Sequence, residues 1–284
     1  MLAAIFLFSL MDAVAKELAA NYHPMQVVWA RYTSQTVFAF VLLAPRLLVL
    51  LRTRHPGLQI VRSAFLFGAT ISFFTALSFL EIATATAIFE VAPLFISIAA
   101  FFVLREHVGP RRWIGVTIGL VGALIIIRPG SAVFTLPALL PMVAAACFAG
   151  YAISTRFLGR NESPWTSFLY TALFGTVVSI AIVPFVWTTP LLFHGLLMGA
   201  MGAIGGIGHI CLIRAFTVTE ASFLAPFSYV GLALNALWGF LFFAEVPDAA
   251  TIAGAVVIVA AGVYVWYRET FSTRRSQPAD PRVS

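Results

Sequence analysis

Ten apolar stretches, separated by short polar or proline-containing segments, fill this chain almost from end to end. Each is close to the roughly 20 helical residues that cross the hydrocarbon core of a bilayer. Because a bilayer offers no water to backbone N–H and C=O groups, each crossing should be a helix, or a broken helix that lines a cavity. The pattern therefore predicts an all-α membrane protein with ten transmembrane helices. The predicted spans are 2–20, 25–44, 62–80, 84–104, 112–128, 137–156, 165–186, 190–213, 220–243 and 249–267.

The distribution of cations predicts how these spans are oriented. Lys and Arg are enriched in cytoplasmic loops, and most arginines here flank even-numbered loops or lie in the C-terminal segment. The loop set is Arg46, Arg52, Arg54, Arg62, Arg105, Arg111, Arg112, Arg156, Arg160 and Arg214. We therefore expect a multi-pass protein of the bacterial inner (plasma) membrane, with both termini cytoplasmic and residues 268–284 forming a disordered cytoplasmic tail.

Composition narrows the function classes. Hydrophobic residues make up 61% of the chain and charged residues 10%, far from an ordinary soluble domain. The net charge of +6 comes from arginines scattered over short loops, so it does not indicate a nucleic-acid surface. We find no phosphate-binding Gly-Lys loop, metal-spaced His/Cys cluster or Gly-x-Ser-x-Gly motif. The sequence thus predicts no enzyme and no cofactor; a membrane-embedded enzyme would need a nucleophile and base, or a metal set, on facing spans.

The two halves of the chain resemble each other at an offset of about 139–140 residues. Acids and prolines are rarer than Leu or Ala in this chain, so their coincidence at helix ends is informative. Five spans is an odd number, so halves 1–130 and 137–267 would enter the membrane from opposite sides as inverted repeats, an architecture suited to alternating access. The matched pairs are Lys16 with Arg156, Pro24 with Pro164, Glu81 with Glu220, Glu106 with Glu245 and Gly115 with Gly254.

The matched segments also carry motifs of a known family. The first half contains Ala76-Leu77, Glu81, Pro93, Leu104-Arg105-Glu106, Trp113-Ile114-Gly115, Gly119 and Gly122. The second contains Arg214-Ala215-Phe216, Glu220-Ala221-Ser222, Pro226, Phe243-Ala244-Glu245, Gly254 and Gly262. Over residues 2–267 the chain resembles the EamA type of the drug/metabolite transporter superfamily. It departs from the family at Ala244, where glycine is frequent.

Within that family, segments 163–167 and 221–229 resemble the branch that exports amino acids and aromatic amino acids. The resemblance implies a secondary transporter of amino acids with broad specificity, working outward by alternating access around a cavity between spans 1, 3, 4, 6, 8 and 9. The alternative is a multidrug or other small-metabolite efflux carrier of the same superfamily. Amino acids or related metabolites and the lipid bilayer are the expected partners.

Charged residues inside the spans are candidates for substrate binding, because each costs about 2.5–3.5 kcal/mol in a bilayer. Asp12 and Lys16 are four residues apart, so they share a helix face and can pair; a structural salt bridge and a cavity role are both open. Glu90 lies three residues before Pro93. His209 can titrate near neutral pH, which leaves proton coupling open beside a core histidine. A fifth charge, Arg31, is expected to neutralise Glu17 or Glu81.

Polar and aromatic side chains complete the predicted pocket, since small-molecule sites are mostly apolar with a few placed polar groups. Pro93 and Pro226 are the predicted hinges, because proline interrupts a helix. The glycines of the fifth span (Gly115, Gly119 and Gly122) and of the tenth (Gly254 and Gly262) indicate helix packing or a homodimer face. The other substrate-binding candidates are Phe73, Tyr151, Ser154, Tyr229, Asn235 and Trp238.

Overall fold

The computed structural model of the protein describes residues 1–105, 110–129, 135–158, 162–218, 227 and 229–275. All regular secondary structure in these residues is helical. Short 3-10 turns precede α3 and α8 and follow α9. The helices are α1 (Leu2–Asn21), α2 (Pro24–Leu43), α3 (Leu47–Leu50), α4 (Pro56–Leu77), α5 (Ile82–Phe89), α6 (Ala92–Leu104), α7 (Pro110–Ile127), α8 (Leu140–Leu158), α9 (Pro164–Ile182), α10 (Leu192–Val218), α11 (Tyr229–Phe243) and α12 (Ala249–Arg275).

Six helical segments of the described chain are long and apolar enough to cross a membrane. They are Pro24–Arg46, Pro56–Leu77, Ile82–Val103, Leu136–Leu158, Pro164–Phe185 and Leu192–Leu212. Three shorter apolar helices follow the same pattern, at Trp113–Ile127, Tyr229–Phe243 and Ala249–Tyr264. The protein is therefore a multi-pass helical membrane protein. The count of ten crossings stays a prediction, since α1 carries three charges and the three shorter helices fall below full span length.

The core is mostly apolar, but it also contains polar side chains, and many large apolar side chains lie on the surface. Gln26 and Gln59 are completely buried, whereas Phe185 is 86% and Leu192 82% exposed. The side chain of Gln26 donates to the carbonyl of Thr188 (2.7 Å) and accepts from its N–H (3.0 Å), which satisfies the buried amide. Polar groups paired inside and large apolar groups outside are what a lipid solvent requires.

The boundaries differ from the sequence prediction in three places. The predicted fourth span is two helices, α5 and α6, separated at Glu90 and Val91. Pro93 has no N–H to donate to the carbonyl four residues earlier, so the helix cannot run through. Helix α4 begins at Pro56, six residues before the predicted span, and places Arg62 within it. Helix α12 continues to Arg275, so the predicted tail is helical up to that residue; a helix needs no lipid to extend by backbone hydrogen bonds.

Equivalent helices of the two halves pack in equivalent ways. Helix α4 packs along α8 as α1 packs along α10, and α2 contacts α10 as α9 contacts α4. Three pairs are their own equivalents, α2 with α9, α5 with α11, and α7 with α12. Exchanging helices that correspond in the two halves therefore leaves these pairs unchanged.

The same offset of 140 residues relates individual contacts. Thr36 and Thr176, which are each other's counterparts, share a hydrogen bond between their hydroxyls at 2.9 Å. The Tyr22 hydroxyl contacts His194 Nδ1 at 2.9 Å, and a Glu162 carboxylate oxygen accepts the N–H of Arg54 at 3.3 Å. Adding 140 to 22 gives 162 and subtracting 140 from 194 gives 54, so the second contact is the counterpart of the first.

Proline and glycine positions explain the local geometry. Pro24 and Pro164 each occupy the first turn of a helix, where a missing N–H is tolerated. The residues before them, His23 and Ser163, each cap that helix by accepting a backbone N–H two residues on, at 3.2 and 3.3 Å. In addition, a Cβ at Gly122 would lie 2.9 Å from the carbonyl oxygen of Gly254.

The predicted packing glycines are therefore used within the chain. In the described residues, a Cβ at Gly119 would meet Leu94, one at Gly254 would meet Ile126, and one at Gly262 would meet Tyr229. Close helix approach of this kind is the usual role of small residues in membrane bundles.

Candidate functional site

Asp12 and Asn235 meet between α1 and α11. The Asn235 amide nitrogen donates to Asp12 Oδ2 (3.3 Å) and to the Thr86 hydroxyl of α5 (2.9 Å). Asn235 is 2% exposed, and its carbonyl oxygen Oδ1 has no hydrogen-bond partner. A buried acceptor without a donor is unfavourable by about 1–3 kcal/mol, so this corner is suited to a ligand that supplies an N–H or O–H.

Trp238 closes the same corner from one side. Its indole N–H donates to the Ser9 hydroxyl at 3.0 Å, and Ser9 is 2% exposed. The indole ring stacks on Phe242 (5.6 Å between centroids) and meets Phe6 edge-on (5.7 Å). We call Asp12, Asn235, Thr86, Ser9 and Trp238 the central polar cluster. Three of its members, Asp12, Asn235 and Trp238, were predicted from the sequence.

Lys16 joins the two halves at the end of the bundle where α1 ends and α2 begins, which we call the α1–α2 end. Its ammonium lies 2.7 Å from Glu245 Oε1 and donates to the Leu80 carbonyl at 2.7 Å. The second carboxylate oxygen of Glu245 accepts the N–H of Ile82 at 2.9 Å. The side chains are only 12% and 16% exposed. We call this arrangement the Lys16–Glu245 bridge; the partner of Lys16 is thus Glu245 and not Asp12.

Glu81 lies beside this bridge, in the connection between α4 and α5. Partial burial and the negative charge of Glu245 raise its pKa above the ordinary 4.5, and the hydroxyl of Thr84 opposes that shift. The bridge therefore concentrates negative charge next to the single lysine of the chain.

Arg62 is the centre of a further buried polar group, near the end of the bundle opposite the α1–α2 end. Although the sequence analysis placed it among the loop cations, it is 4% exposed and lies between α4, α8 and α9. Its guanidinium donates to the hydroxyls of Thr155 (2.7 Å), Thr171 (2.9 Å) and Tyr151 (2.7 Å) and to the Ser167 carbonyl (3.0 Å). Four hydrogen bonds satisfy this cation without an ion pair among the described residues.

A row of aromatic rings leads from Phe73, near the C-terminal end of α4, to Arg62. Phe73 contacts Phe89 (5.4 Å between centroids), Phe89 contacts Phe148 (5.6 Å), and Phe148 stacks on Tyr151 (5.6 Å). Arg62 lies over the Tyr151 ring at 4.4 Å. The predicted pocket residues Phe73 and Tyr151 are therefore the two ends of one row.

The described contacts of Ser154, His209 and Tyr229 are with residues outside the central polar cluster. The Ser154 hydroxyl donates to the Gly150 carbonyl of its own helix. His209 packs between Phe8 and Phe168. Tyr229 packs against Gly262 of α12.

Of the two predicted hinges, Pro93 lies among the described residues. Glu90 and Pro93 lie at the α5–α6 break. Pro226 lies outside the described residues.

Sequence reasoning missed Ser9, Thr86, Glu245 and Arg62 as members of these clusters. Glu245 had a signal, since it is the repeat partner of Glu106. Ser9 and Thr86 had none, because hydroxyl side chains are common in membrane helices and bond their own backbone.

Two hollows lie elsewhere, where α2 and α3 approach the start of α9. Their volumes are about 590 and 690 Å³. They are surface hollows lined largely by loop arginines and aliphatic side chains. The buried polar groups described above are therefore the better candidates for a substrate site. Throughout the described chain, no three His, Cys, Asp or Glu side chains are grouped to hold a metal.

One family of known proteins matches each half of the chain separately. A model of the EamA-like transporter family matches residues 1–128 and residues 135–267. The chain is 32% identical to an S-adenosylmethionine uptake transporter of Rickettsia bellii over 91% of this chain and 89% of that protein. It is 31% identical to the pseudopaline exporter CntI of Pseudomonas aeruginosa over 91% of each chain.

Two further matches extend over nearly the whole chain. A riboflavin transporter of Vibrio cholerae is 31% identical over 98% of this chain and 95% of that protein. A solved crystal structure superposes with a TM-score of 0.64 at 22% identity, over 97% of this chain and 96% of the other. At that identity the superposition shows the fold alone.

Proposed function

The chain belongs to the EamA-like transporter family, and from that membership we propose that it carries a small polar metabolite across the membrane by alternating access. The family and its named relatives are transporters, so the chain is a secondary transporter and not an enzyme. The observation that carries the substrate proposal is the central polar cluster, in which Asn235 keeps a buried acceptor unused beside the Asp12 carboxylate.

The names of the relatives support the broader of the two expected substrate classes. They specify S-adenosylmethionine, pseudopaline and riboflavin, and none specifies export of free amino acids. We therefore propose a small-metabolite carrier, with amino acids as one candidate among related compounds. Relatives named for uptake and for export both match about nine tenths of this chain. The proposal therefore concerns the substrate and the transport cycle and not the direction of transport.

Two inverted repeats are the proposed machinery of the cycle. The separate family matches to each half, the equivalent packing pairs and the Thr36–Thr176 contact all support this division. Inverted repeats let one arrangement open to each side in turn around a shared site. In that cycle the Lys16–Glu245 bridge would close the α1–α2 end, and the α5–α6 break at Pro93 would let the helix bend.

The orientation and the driving force belong to the same proposal. We place both termini in the cytoplasm of a bacterial inner membrane, on the distribution of loop arginines. We propose an ion or substrate gradient as the driving force, with Glu90 and His209 as candidate proton carriers. If Glu90→Gln and His209→Asn both leave the pH dependence of transport unchanged, these residues are not the coupling sites.

Transport by purified protein in vesicles tests the proposal. Proteoliposomes would be offered labelled S-adenosylmethionine, riboflavin, pseudopaline and neutral L-amino acids, with and without an imposed pH gradient. We expect at least one compound to move faster than in protein-free vesicles, and Asp12→Asn and Asn235→Ala to lower that rate at least 10-fold. Gly199→Ala is the matched control, because nothing lies within 4 Å of a Cβ at that position. Failure to move any of the four classes would overturn the substrate assignment.

A further inference from the structure

Arg31 is a membrane-embedded cation whose hydrogen-bonding capacity is largely unused. It lies in α2, two turns after Pro24, and is half-buried. A guanidinium has five N–H donors, and the described contacts account for one hydrogen bond, from Arg31 Nη1 to the Thr70 hydroxyl at 2.8 Å. Its Nε atom is buried and has no partner. The rings of Tyr32 and Phe74 lie 5.3 and 5.5 Å from the guanidinium carbon.

Neither of the glutamates expected to neutralise Arg31 does so. Glu17 lies 3.6 Å from His194 Nε2, and Glu81 accepts a hydrogen bond from Thr84 at 3.4 Å. Among the described residues, no carboxylate forms an ion pair with Arg31. A charge left unpaired inside a membrane bundle is the usual mark of a functional group.

The other interior cations of the described chain differ from Arg31. Lys16 has the Glu245 carboxylate and the Leu80 carbonyl, and Arg62 has four hydrogen bonds spread over all three of its nitrogens. Those two cations are held by the protein itself. Arg31 alone among the three keeps an unpartnered buried donor.

Arg31 and Asp12 belong to the same region of the bundle. Met11 and Ala13, which flank Asp12, pack in one buried apolar cluster with Tyr32 and Phe74, whose rings lie beside Arg31. Asp12 and Arg31 are both half-buried although they lie well inside their helices. The Asp12 side therefore offers an unused acceptor at Asn235, and the Arg31 side offers an unused donor. A ligand would therefore need a hydrogen-bond donor on the Asp12 side and a hydrogen-bond acceptor on the Arg31 side.

We propose that Arg31 binds a carboxylate of the substrate while Asp12 and Asn235 bind its cationic or N–H-donating group, so that the transported metabolite is dipolar. This rests on the proposed function and adds the substrate class to it. A carboxylate fits better than a phosphate, because one guanidinium with a single free edge balances one negative charge. A dianion would require a second unpaired cation, and the described residues offer none nearby.

The test compares each acid with the same compound in which the carboxylate is blocked. S-adenosylmethionine and neutral L-amino acids, each beside its carboxyl methyl ester, would compete for transport in proteoliposomes. The binding of each compound would also be measured by the rise in melting temperature that it causes in the purified protein in detergent. For the wild type we expect the acid to compete at least 10-fold better than its ester. Arg31→Gln should weaken the acid about 10-fold and the ester less than 2-fold, and Arg31→Lys should recover part of the difference.

Arg128→Gln is the matched control, since that arginine pairs with Asp248 outside the proposed site. It should leave the preference for acid over ester unchanged. Equal weakening of acid and ester by Arg31→Gln would assign Arg31 a structural role and overturn the proposal, as would a wild type that does not distinguish them. If the vesicles transport nothing, the proposed function fails, yet the melting-temperature comparison still decides whether Arg31 recognises a carboxylate. If Arg31→Gln does not fold, Arg31→Lys and Thr70→Ala replace it, and unchanged discrimination in both would overturn the proposal.

Discussion

The Lys16–Glu245 bridge makes a prediction whose size follows from its geometry. Removing one partner of a buried ion pair destabilises the arrangement by about 3–5 kcal/mol, because the other charge is left unpaired. Here both side chains keep 12–16% exposure, so we take the lower figure, about 3 kcal/mol. Since 1.4 kcal/mol is a tenfold change in an equilibrium, Lys16→Ala should shift the balance away from the closed α1–α2 end by roughly 100-fold.

Reaction of a buried cysteine reports that shift. Ala83, which is 3% exposed, lies directly after the Ile82 N–H that the bridge holds. Ala83→Cys would be introduced in a protein with Cys147 and Cys211 replaced by alanine, and labelled with a membrane-impermeant maleimide from each side of the membrane. We expect Lys16→Ala to accelerate labelling at least 10-fold from one side only.

The charge-swapped double variant is the control for this prediction. Lys16→Glu with Glu245→Lys restores the pair of opposite charges. The new Glu would however face the Leu80 carbonyl and the new Lys the Ile82 N–H, so the original hydrogen bonds to these groups would be lost. We expect labelling of the double variant to be slower than that of either single variant. An unchanged rate in Lys16→Ala, or equal acceleration from both sides, would refute the reasoning that this bridge closes one end.

Three further predictions concern packing, capping and pH. Gly202→Ala should lower the melting temperature, since a Cβ there meets the α2 backbone at Ser34 and overpacking costs about 1–3 kcal/mol, whereas Gly199→Ala should not. Asp248→Ala should destabilise by about 1 kcal/mol, because its carboxylate caps α12 by accepting a backbone N–H at 2.8 Å; Asp248→Asn should retain most of the cap. Glu81→Gln should flatten the fall in melting temperature as the pH rises above about 4.5, because the folded pKa of Glu81 lies above that value.

Each of these has a contradicting outcome. Equal melting temperatures for the two glycine variants would show that α2 and α10 can move apart without a loss of stability. The first-turn hydrogen bonds to Thr251 and the pairing with Arg128 lower the Asp248 pKa to about 2 from 3.8, so its contribution is present above pH 3.8 and lost as the pH falls toward 2. A stability profile that stays level over that window would contradict the cap. A Glu81→Gln profile parallel to the wild type would contradict the burial argument.

Much of the architecture could be read from the amino-acid order. Apolar length and helix-breaking residues placed most helix ends to within a few residues, because crossing a bilayer requires a run of fixed length. The repeat left its mark in rare residues at helix ends, and Pro24 and Pro164 take the same place in their helices. Asp12, Asn235 and Trp238 lie in one cluster because polar groups in a membrane helix turn toward the interior, and their role as substrate contacts stays a prediction.

The partners of those residues were decided only by the tertiary structure. Lys16 was four residues from Asp12, yet it lies against Glu245, 229 positions away, because the α4–α5 connection adds carbonyl oxygens there. Arg62 looked like one more loop cation until α4 began six residues early and buried it. Local spacing determines which residues share a helix face. Which distant group meets that face depends on how the helices pack, and the sequence alone does not contain that information in any local pattern.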